Sequence, residues 1–97
     1  MKILIVDDSK LIHAAVGKMI SELGYEVHSV FDGDEAVEFL SNPNQIDVVL
    51  LDWNMERMSG IEFLKKNFAE KFYQNHIIMM TTENDPEKIM LALDFGA

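Results

Sequence analysis

The hydrophobic pattern of this chain alternates between short apolar runs and longer stretches in which apolar residues recur at helical spacing. Residues 3–6 and 48–51 are unbroken aliphatic runs, too short for a helix and without polar alternation. Such runs are typical of strands that are buried on both faces of a parallel sheet. Strands are predicted, in chain order, at residues 2–6, 26–30, 46–51 and 76–80.

Helices are predicted between these strands. The first runs from about Ser9 to Leu23 and ends at Gly24. The second follows the turn at residues 32–34 and ends at residues 42–44, which contain a proline. In the first helix, apolar residues recur at helical spacing and form a stripe that should face the core. The stripe consists of Ile12, Val16, Met19, Ile20 and Leu23.

Two further helices complete the alternation. Ile61, Leu64 and Phe68 are expected to face the core from the third helix. The fourth begins at Asp85-Pro86, a capping side chain followed by proline at the first helical position. A βαβαβαβα order with right-handed crossovers predicts an α/β fold, a doubly wound parallel sheet with helices on both faces. Residues 1–97 are predicted to form a single domain without linker or repeat.

The charge balance restricts the partners of this domain. Its 97 residues include 17 Asp and Glu against 8 Lys and Arg, which gives a net charge of −9. Without a basic patch, binding to nucleic acid or to an anionic membrane is not expected. No apolar run approaches the roughly 20 residues of a membrane span, and the N-terminus does not resemble a secretion signal. We expect a cytoplasmic protein.

Acidic residues stand at the ends of two predicted strands. Asp7 and Asp8 follow the first strand, and Asp52 follows the third. Parallel strands end on the same side of a sheet, so neighbouring strands would bring these carboxylates together where open α/β sheets bind ligands. Three like charges are costly at short range unless a cation or protons neutralise them. The pattern predicts a binding site for a hard divalent cation beside a reactive carboxylate.

Three motifs at strand ends resemble those of the receiver domain of two-component response regulators, close to the single-domain chemotaxis type. They are residues 5–9 (IVDDS), residues 52–55 (DWNM) with Met58 and Gly60, and residues 80–83 (MTTE). The resemblance covers the whole chain. It implies a flavodoxin-like sheet with strand order 2-1-3-4.

The resemblance also implies a role for each acidic residue. Asp52 would be the phosphoacceptor, the nucleophile that takes a phosphoryl group. Asp8 and Asp52 would bind Mg²⁺ directly, with the backbone carbonyl of Asn54 as a further ligand and Asp7 acting through water. Mg²⁺ suits such oxygen ligands and bridges readily to phosphoryl groups, with Mn²⁺ as the alternative ion.

Residues after the third and fourth strands would complete the site by the same resemblance. Thr81 would donate its hydroxyl to a phosphoryl oxygen and act as the switch. Asn54 and Glu83 would flank the acyl phosphate and tune its rate of hydrolysis. The phosphoryl donor would be a histidine kinase or a phosphotransfer protein. The protein would then catalyse its own phosphorylation and dephosphorylation without being a conventional enzyme.

The chain departs from the family pattern at its C-terminal end. Members have about five strands and five helices, whereas this sequence stops after the fourth predicted helix, so the fifth strand and helix are expected to be absent. The family's catalytic lysine would be absent with them, since neither Lys10 nor Lys88 stands in an equivalent position. Impaired phosphorylation is therefore expected. The fourth strand would be an open apolar edge, which predicts a homodimer or a domain swap.

Other readings of the chain lie in different functional classes. One is a truncated receiver fragment that no longer switches and acts as an assembly module through its fourth strand. A phosphatase of the haloacid dehalogenase type needs a second aspartate where this chain has Ser9. A flavodoxin-like cofactor protein needs a Gly- or Thr-rich phosphate loop after the first strand, which is absent. Both enzyme-like readings are disfavoured.

The three histidines and the single tryptophan are not expected to have a special role. His13, His28 and His76 are scattered over different elements, so a zinc site is not expected and surface or boundary positions are preferred. Trp53, next to Asp52, is expected to be partly buried.

Overall fold

Strands and helices alternate along the part of the chain that the computed structural model describes, which is residues 1–53, 55 and 58–80. The elements are, in order, β1 (Lys2–Val6), α1 (Lys10–Glu22), β2 (Glu26–Val30), α2 (Gly33–Ser41), β3 (Val48–Asp52), α3 (Gly60–Glu70) and β4 (His76–Met80). The third strand begins two residues later than expected. The predicted fourth helix, from Asp85 onward, lies outside the described residues.

The strands form one parallel sheet in the order β2-β1-β3-β4. The predicted doubly wound sheet with strand order 2-1-3-4 is therefore confirmed. In the register of the central pair, Val6 lies beside Leu51. Asp52, the last residue of β3, lies beside Met80 of β4. Because β1 and β3 are neighbours in register, their carboxyl-terminal ends lie side by side.

Each helix begins at a polar side chain that caps a free backbone N–H group. Ser9, Asp32 and Ser59 accept hydrogen bonds from the backbone N–H of the residue three positions later. These residue types are strongly preferred at this position. Within the described residues, no helix combines the length and apolar character that crossing a bilayer requires.

Among the described residues, the larger part of the core lies on the sheet face that α2 and α3 cover. There Leu4, Val49, Leu51, Phe63 and Leu64 have no exposed surface. The opposite face, covered by α1, has a smaller cluster built on Ile3, Ile5 and Ile20. Helices thus cover both faces, as predicted, but they do so unequally.

The predicted apolar stripe of α1 is only partly correct. Ile20 is buried, but Met19 and Leu23 are 64% and 70% exposed and Ile12 is 37% exposed. The helix faces the sheet at Gly17, where an added Cβ would lie 3.8 Å from Val27, an ordinary van der Waals distance. The buried side of the helix is therefore rotated away from the side that the apolar spacing favoured.

The predicted core face of α3 needs a similar correction. Leu64 is buried as expected, but Phe68 is 57% exposed, and Phe63 and Asn67 are buried in its place. Asn67 occupies a core position because its amide is paired twice. Its Nδ2 donates to the Tyr73 carbonyl at 2.8 Å, and its Oδ1 accepts from the Tyr73 N–H at 2.8 Å.

Further hydrogen bonds from the segment between α3 and β4 lie at the amino-terminal end of the sheet, near the starts of β3 and β4. The Tyr73 hydroxyl donates to the carbonyl of Ile46 at 3.2 Å. Asn75 Nδ2 donates to the same carbonyl at 3.0 Å. Burial, together with the negative charge of Asp47, raises the pKa of Tyr73 to about 12. This tyrosine is therefore held in its neutral, donating form.

Candidate functional site

Three carboxylates meet at the carboxyl-terminal edge of the sheet. Asp7, Asp8 and Asp52 each offer an oxygen, and these oxygens all lie within 4.8 Å of one another. Asp7 is buried, Asp8 is exposed and Asp52 is half-buried. The register of β1 against β3 produces this cluster, because it places the ends of the two strands side by side. The convergence expected from the sequence is confirmed.

Asp7 is fixed by both its backbone and its side chain. Its backbone N–H donates to the carbonyl of Val30 on β2 at 3.3 Å. Its Oδ1 accepts the backbone N–H of Ser9 at 2.8 Å. These bonds hold the turn between β1 and α1 and leave Asp7 only 5% exposed. The most buried of the three carboxylates is thus also hydrogen-bonded to the loop that carries Asp8.

His13 is the residue near the site that sequence reasoning missed. A surface or boundary position was expected, but His13 is only 9% exposed. Its Nε2 lies 2.7 Å from the backbone carbonyl oxygen of Asp7. A carbonyl oxygen can only accept, so Nε2 carries the proton and donates. The position of His13, six residues after Asp7 and one turn into the helix, was the only sequence clue to this contact.

Asp52 is placed by the close approach of α3. The Gly60 N–H donates to the Trp53 carbonyl at 2.8 Å. A Cβ at Gly60 would lie 2.5 Å from the Asp52 carbonyl oxygen and 3.0 Å from Trp53 Cα. Only glycine permits this approach. Trp53 is 7% exposed, so it is more deeply buried than expected.

The methionines of the second motif have packing roles. Met55 is buried in the larger core cluster. Met58 covers the start of α2, where a Cβ at Gly33 would lie 2.7 Å from its own Cβ. Met58, which lies just before α3, therefore packs against the start of α2.

Several predicted site residues lie outside the described part of the chain. They are Asn54, Thr81 and Glu83, and their roles stay predictions. Lys88, which was not expected to replace the family's lysine, also lies outside the described residues. Lys10 is described and is the exposed first residue of α1. Among the described residues, the candidate site therefore consists of the three carboxylates and the groups that hold them.

The chemistry of this donor set fits a hard divalent cation. Carboxylate oxygens are the ligands that Mg²⁺ and Mn²⁺ prefer. Three negative charges at this spacing repel one another, and a cation between them would relieve that repulsion. Asp8 and Asp52, the two more exposed members, are the ones accessible to an ion that keeps several waters.

Comparison with known proteins shows the class to which this fold and site belong. A family model described as the response regulator receiver domain matches residues 3–97. The chain belongs to the response regulator receiver domain family.

Individual relatives within this family include chemotaxis proteins. A chemotaxis protein CheY homologue of Campylobacter jejuni is 38% identical over 98 residues, which cover 99% of this chain and 75% of the relative. The structure of Vibrio cholerae CheY4, a chemotaxis protein, matches with 37% identity and a TM-score of 0.87, over 99% of this chain and 80% of that one. A Francisella response regulator receiver domain matches with 31% identity and a TM-score of 0.88, over 99% and 78% of the two chains. The chain is thus shorter than these relatives.

Proposed function

We propose that this chain is a chemotaxis-type receiver in which Asp52 accepts a phosphoryl group from a histidine kinase or a phosphotransfer protein. The observation that carries the proposal is the meeting of Asp7, Asp8 and Asp52 within 4.8 Å at the edge of the sheet. Membership of the receiver family and the chemotaxis relatives support it.

The transfer needs one bond to form and one to break. A carboxylate oxygen of Asp52 attacks phosphorus and forms an acyl phosphate. The bond between phosphorus and the donor imidazole nitrogen breaks, and the imidazole leaves with the electron pair and takes up a proton. Water later attacks the phosphoryl group, which releases phosphate and regenerates the carboxylate. Such transfers depend mainly on positioning and charge stabilisation, so the chain catalyses its own modification without being a conventional enzyme.

The environments of the acidic residues support a division of roles. Asp7 is buried and accepts the Ser9 N–H, so it is poorly placed for in-line attack on an external phosphoryl donor. Asp52 ends a central strand and is half-buried. The family motif then favours Asp52 over Asp8 as the nucleophile, and Asp8 as a ligand of the cation.

The proposed cofactor is Mg²⁺, with Mn²⁺ as the alternative. Asp8 and Asp52 would hold it directly, Asp7 through water, and the backbone carbonyl of Asn54 would supply a further ligand. When bound, the ion neutralises the clustered carboxylates and the charge on the phosphoryl oxygens.

Roles for two residues beyond β4 complete the proposal. Thr81 would contact a phosphoryl oxygen and act as the switch. Asn54 and Glu83 would set the rate of hydrolysis. We further propose that residues 1–97 form a single receiver domain that acts in the cytoplasm without direct contact with nucleic acid or membrane.

A second candidate function is assembly through the fourth strand as a homodimer or a domain swap. One observation favours it, since Ile78 on β4 is 52% exposed. The comparisons with known proteins lend it no support. Sedimentation at high protein concentration tests it, and a strictly monomeric profile would exclude it.

Intact mass spectrometry tests the leading proposal. The chain is incubated with Mg²⁺ and acetyl phosphate, beside the variant Asp52→Asn and a sample in which a chelator removes the metal. The parent should gain the mass of one phosphoryl group, and neither control should gain it. An unmodified parent that is shown to be folded, or a modified Asp52→Asn variant, would contradict the proposal.

A further inference from the structure

His13 is a buried histidine that the proposed phosphoryl transfer does not use. It lies on the first turns of α1, and its ring fills the space between the β1–α1 loop and Phe31. The ring centroids of His13 and Phe31 are 4.4 Å apart. On its other side, Nε2 donates to the Asp7 carbonyl at 2.7 Å. Its contacts therefore join the start of α1 to a residue of the carboxylate cluster.

From this geometry we propose that His13 is a positioning residue whose Nε2 hydrogen bond orients the carboxylates of Asp7 and Asp8 for the cation. The inference rests on the proposed function, because it concerns the proposed metal site. His13 touches neither the metal nor the phosphoryl group in this scheme. It acts through the backbone of the loop.

The carbonyl that His13 holds belongs to the peptide unit between Asp7 and Asp8. This unit is planar, so fixing the direction of its C=O restricts ψ of Asp7 and φ of Asp8 together. Those two angles decide where the Asp8 side chain points relative to that of Asp7. One hydrogen bond thus constrains two of the three carboxylates.

Two further hydrogen bonds connect the β1–α1 loop to His13 and to Asp7. The backbone N–H of His13 donates to the Ser9 carbonyl at 3.2 Å. The Ser9 N–H in turn donates to Asp7 Oδ1 at 2.8 Å. His13 therefore contacts the loop through its main chain at Ser9 and through its side chain at Asp7. Loss of the side-chain bond would take this partner from the Asp7 carbonyl and give the peptide unit more freedom to rotate.

The free energy cost of burying this ring also argues against a simple space-filling role. His13 Nδ1 is buried and has no hydrogen-bond partner among the described residues. A buried polar atom without a partner costs about 1–3 kcal/mol. An apolar residue of similar size would avoid that cost, but it could not donate to Asp7. The donor at Nε2 is the property that an apolar residue lacks.

A pair of substitutions separates the hydrogen bond from the filling of space. In His13→Gln the amide nitrogen is as many bonds from the backbone as Nε2 and can donate to the Asp7 carbonyl. In His13→Asn the amide nitrogen reaches only as far as Nδ1 and cannot. If His13→Asn does not fold, His13→Met replaces it, since methionine fills the space without a donor.

Mg²⁺ binding to the unphosphorylated full chain is measured by titration calorimetry. His13→Gln should bind Mg²⁺ within about twofold of the parent. His13→Asn should bind about tenfold more weakly, the lower end of the 10- to 100-fold loss seen when groups that orient metal ligands are removed. In the metal-free proteins, hydrogen exchange at the Ser9 amide should stay slow in His13→Gln and become faster in His13→Asn.

Two results would overturn the inference. One is parent-like Mg²⁺ affinity in His13→Asn. The other is equal weakening in both variants together with equal loss of stability, which would indicate space filling alone. If the parent itself binds no Mg²⁺, the metal of the proposed function fails. The Ser9 exchange rates then decide the role of His13 separately, and equal rates in both variants would exclude it.

Discussion

The two ends of the strands, called here the carboxyl-terminal and amino-terminal edges of the sheet, differ in how their polar groups are paired. At the carboxyl-terminal edge, Asp7, Asp8 and Asp52 place three acceptor-only groups within 4.8 Å. At the amino-terminal edge, Asn67 and Tyr73 pair their polar atoms with buried backbone groups. The first edge carries repulsion that a ligand can relieve, and the second adds hydrogen bonds that stabilise the fold. Function and stability are thus separated along the strands, and substitutions at the two edges should have opposite effects.

The largest effect on stability is expected at the amino-terminal edge. Asn67→Ala removes two hydrogen bonds and leaves both the N–H and the carbonyl of Tyr73 without these partners. At about 1–3 kcal/mol for each unpaired buried group, we expect the free energy of unfolding to fall by about 3 kcal/mol. Urea unfolding followed by circular dichroism measures the change.

The same helix offers a matched control for this substitution. Lys66→Ala removes an exposed ion pair with Glu70, and such pairs contribute less than about 1 kcal/mol. If both substitutions cost the same, the amino-terminal edge has no special importance for stability.

A smaller effect of opposite sign is expected at the carboxyl-terminal edge. Asp52→Asn removes one of three like charges, so the metal-free protein should become more stable, by on the order of 1–2 kcal/mol. Millimolar Mg²⁺ should raise the melting temperature of the parent more than that of Asp52→Asn, because a ligand of the native state stabilises it. Thermal unfolding with and without Mg²⁺ measures both effects. A destabilised variant, or a parent that does not respond to Mg²⁺, would remove the contrast between the edges.

The smallest effect concerns Tyr73 and depends on pH. Tyr73→Phe should lower the free energy of unfolding by about 1 kcal/mol at neutral pH through loss of its hydroxyl bond. The native pKa of Tyr73, about 12, lies above the ordinary value of 10.0. The native state therefore holds this proton more tightly than the unfolded state does. Its contribution is complete below pH 10 and is lost as the pH rises through about 12.

Unfolding measured between neutral pH and pH 12 tests this dependence. The difference in stability between the parent and Tyr73→Phe should disappear as the pH rises. The variant Tyr25→Phe, altered at a ring that is 39% exposed, controls for the loss of a tyrosine. A difference that stays constant with pH would show that the Tyr73 proton has no part in holding the amino-terminal edge.

The sheet could be predicted from the sequence because each strand has a clear local signal in its own run of apolar residues. Residues 3–6 and 48–51 are unbroken aliphatic runs, which are typical of strands in a parallel sheet covered on both faces. Handedness of the crossovers then leaves few topologies. The meeting of Asp7, Asp8 and Asp52 follows from strand adjacency alone. Their roles in phosphoryl transfer do not follow from it and come from the family.

The errors in the predicted core faces of α1 and α3 share one physical cause. In α1 and in α3 the side of the helix that faces the core includes a polar residue, His13 in one and Asn67 in the other. Apolar spacing assigns such residues to the surface, so the predicted stripes were rotated onto Met19 and Phe68. Each polar residue is buried because its side chain pairs with the backbone of the loop next to its own helix, six residues away along the chain. Those partners become visible only once the chain is folded.

The strand that Asp7 follows, β1, and the strand that ends at Asp52, β3, are the inner pair of the described sheet, with β2 and β4 on either side. Outer strands open most readily in the brief local unfolding events that every native protein undergoes. A molecule that has transiently released β4 would still hold β1 against β3, and with them the three carboxylates. The amides of the β1–β3 ladder should accordingly be among the last to exchange with solvent. The acidic cluster would then persist through partial openings that remove the outer strands around it.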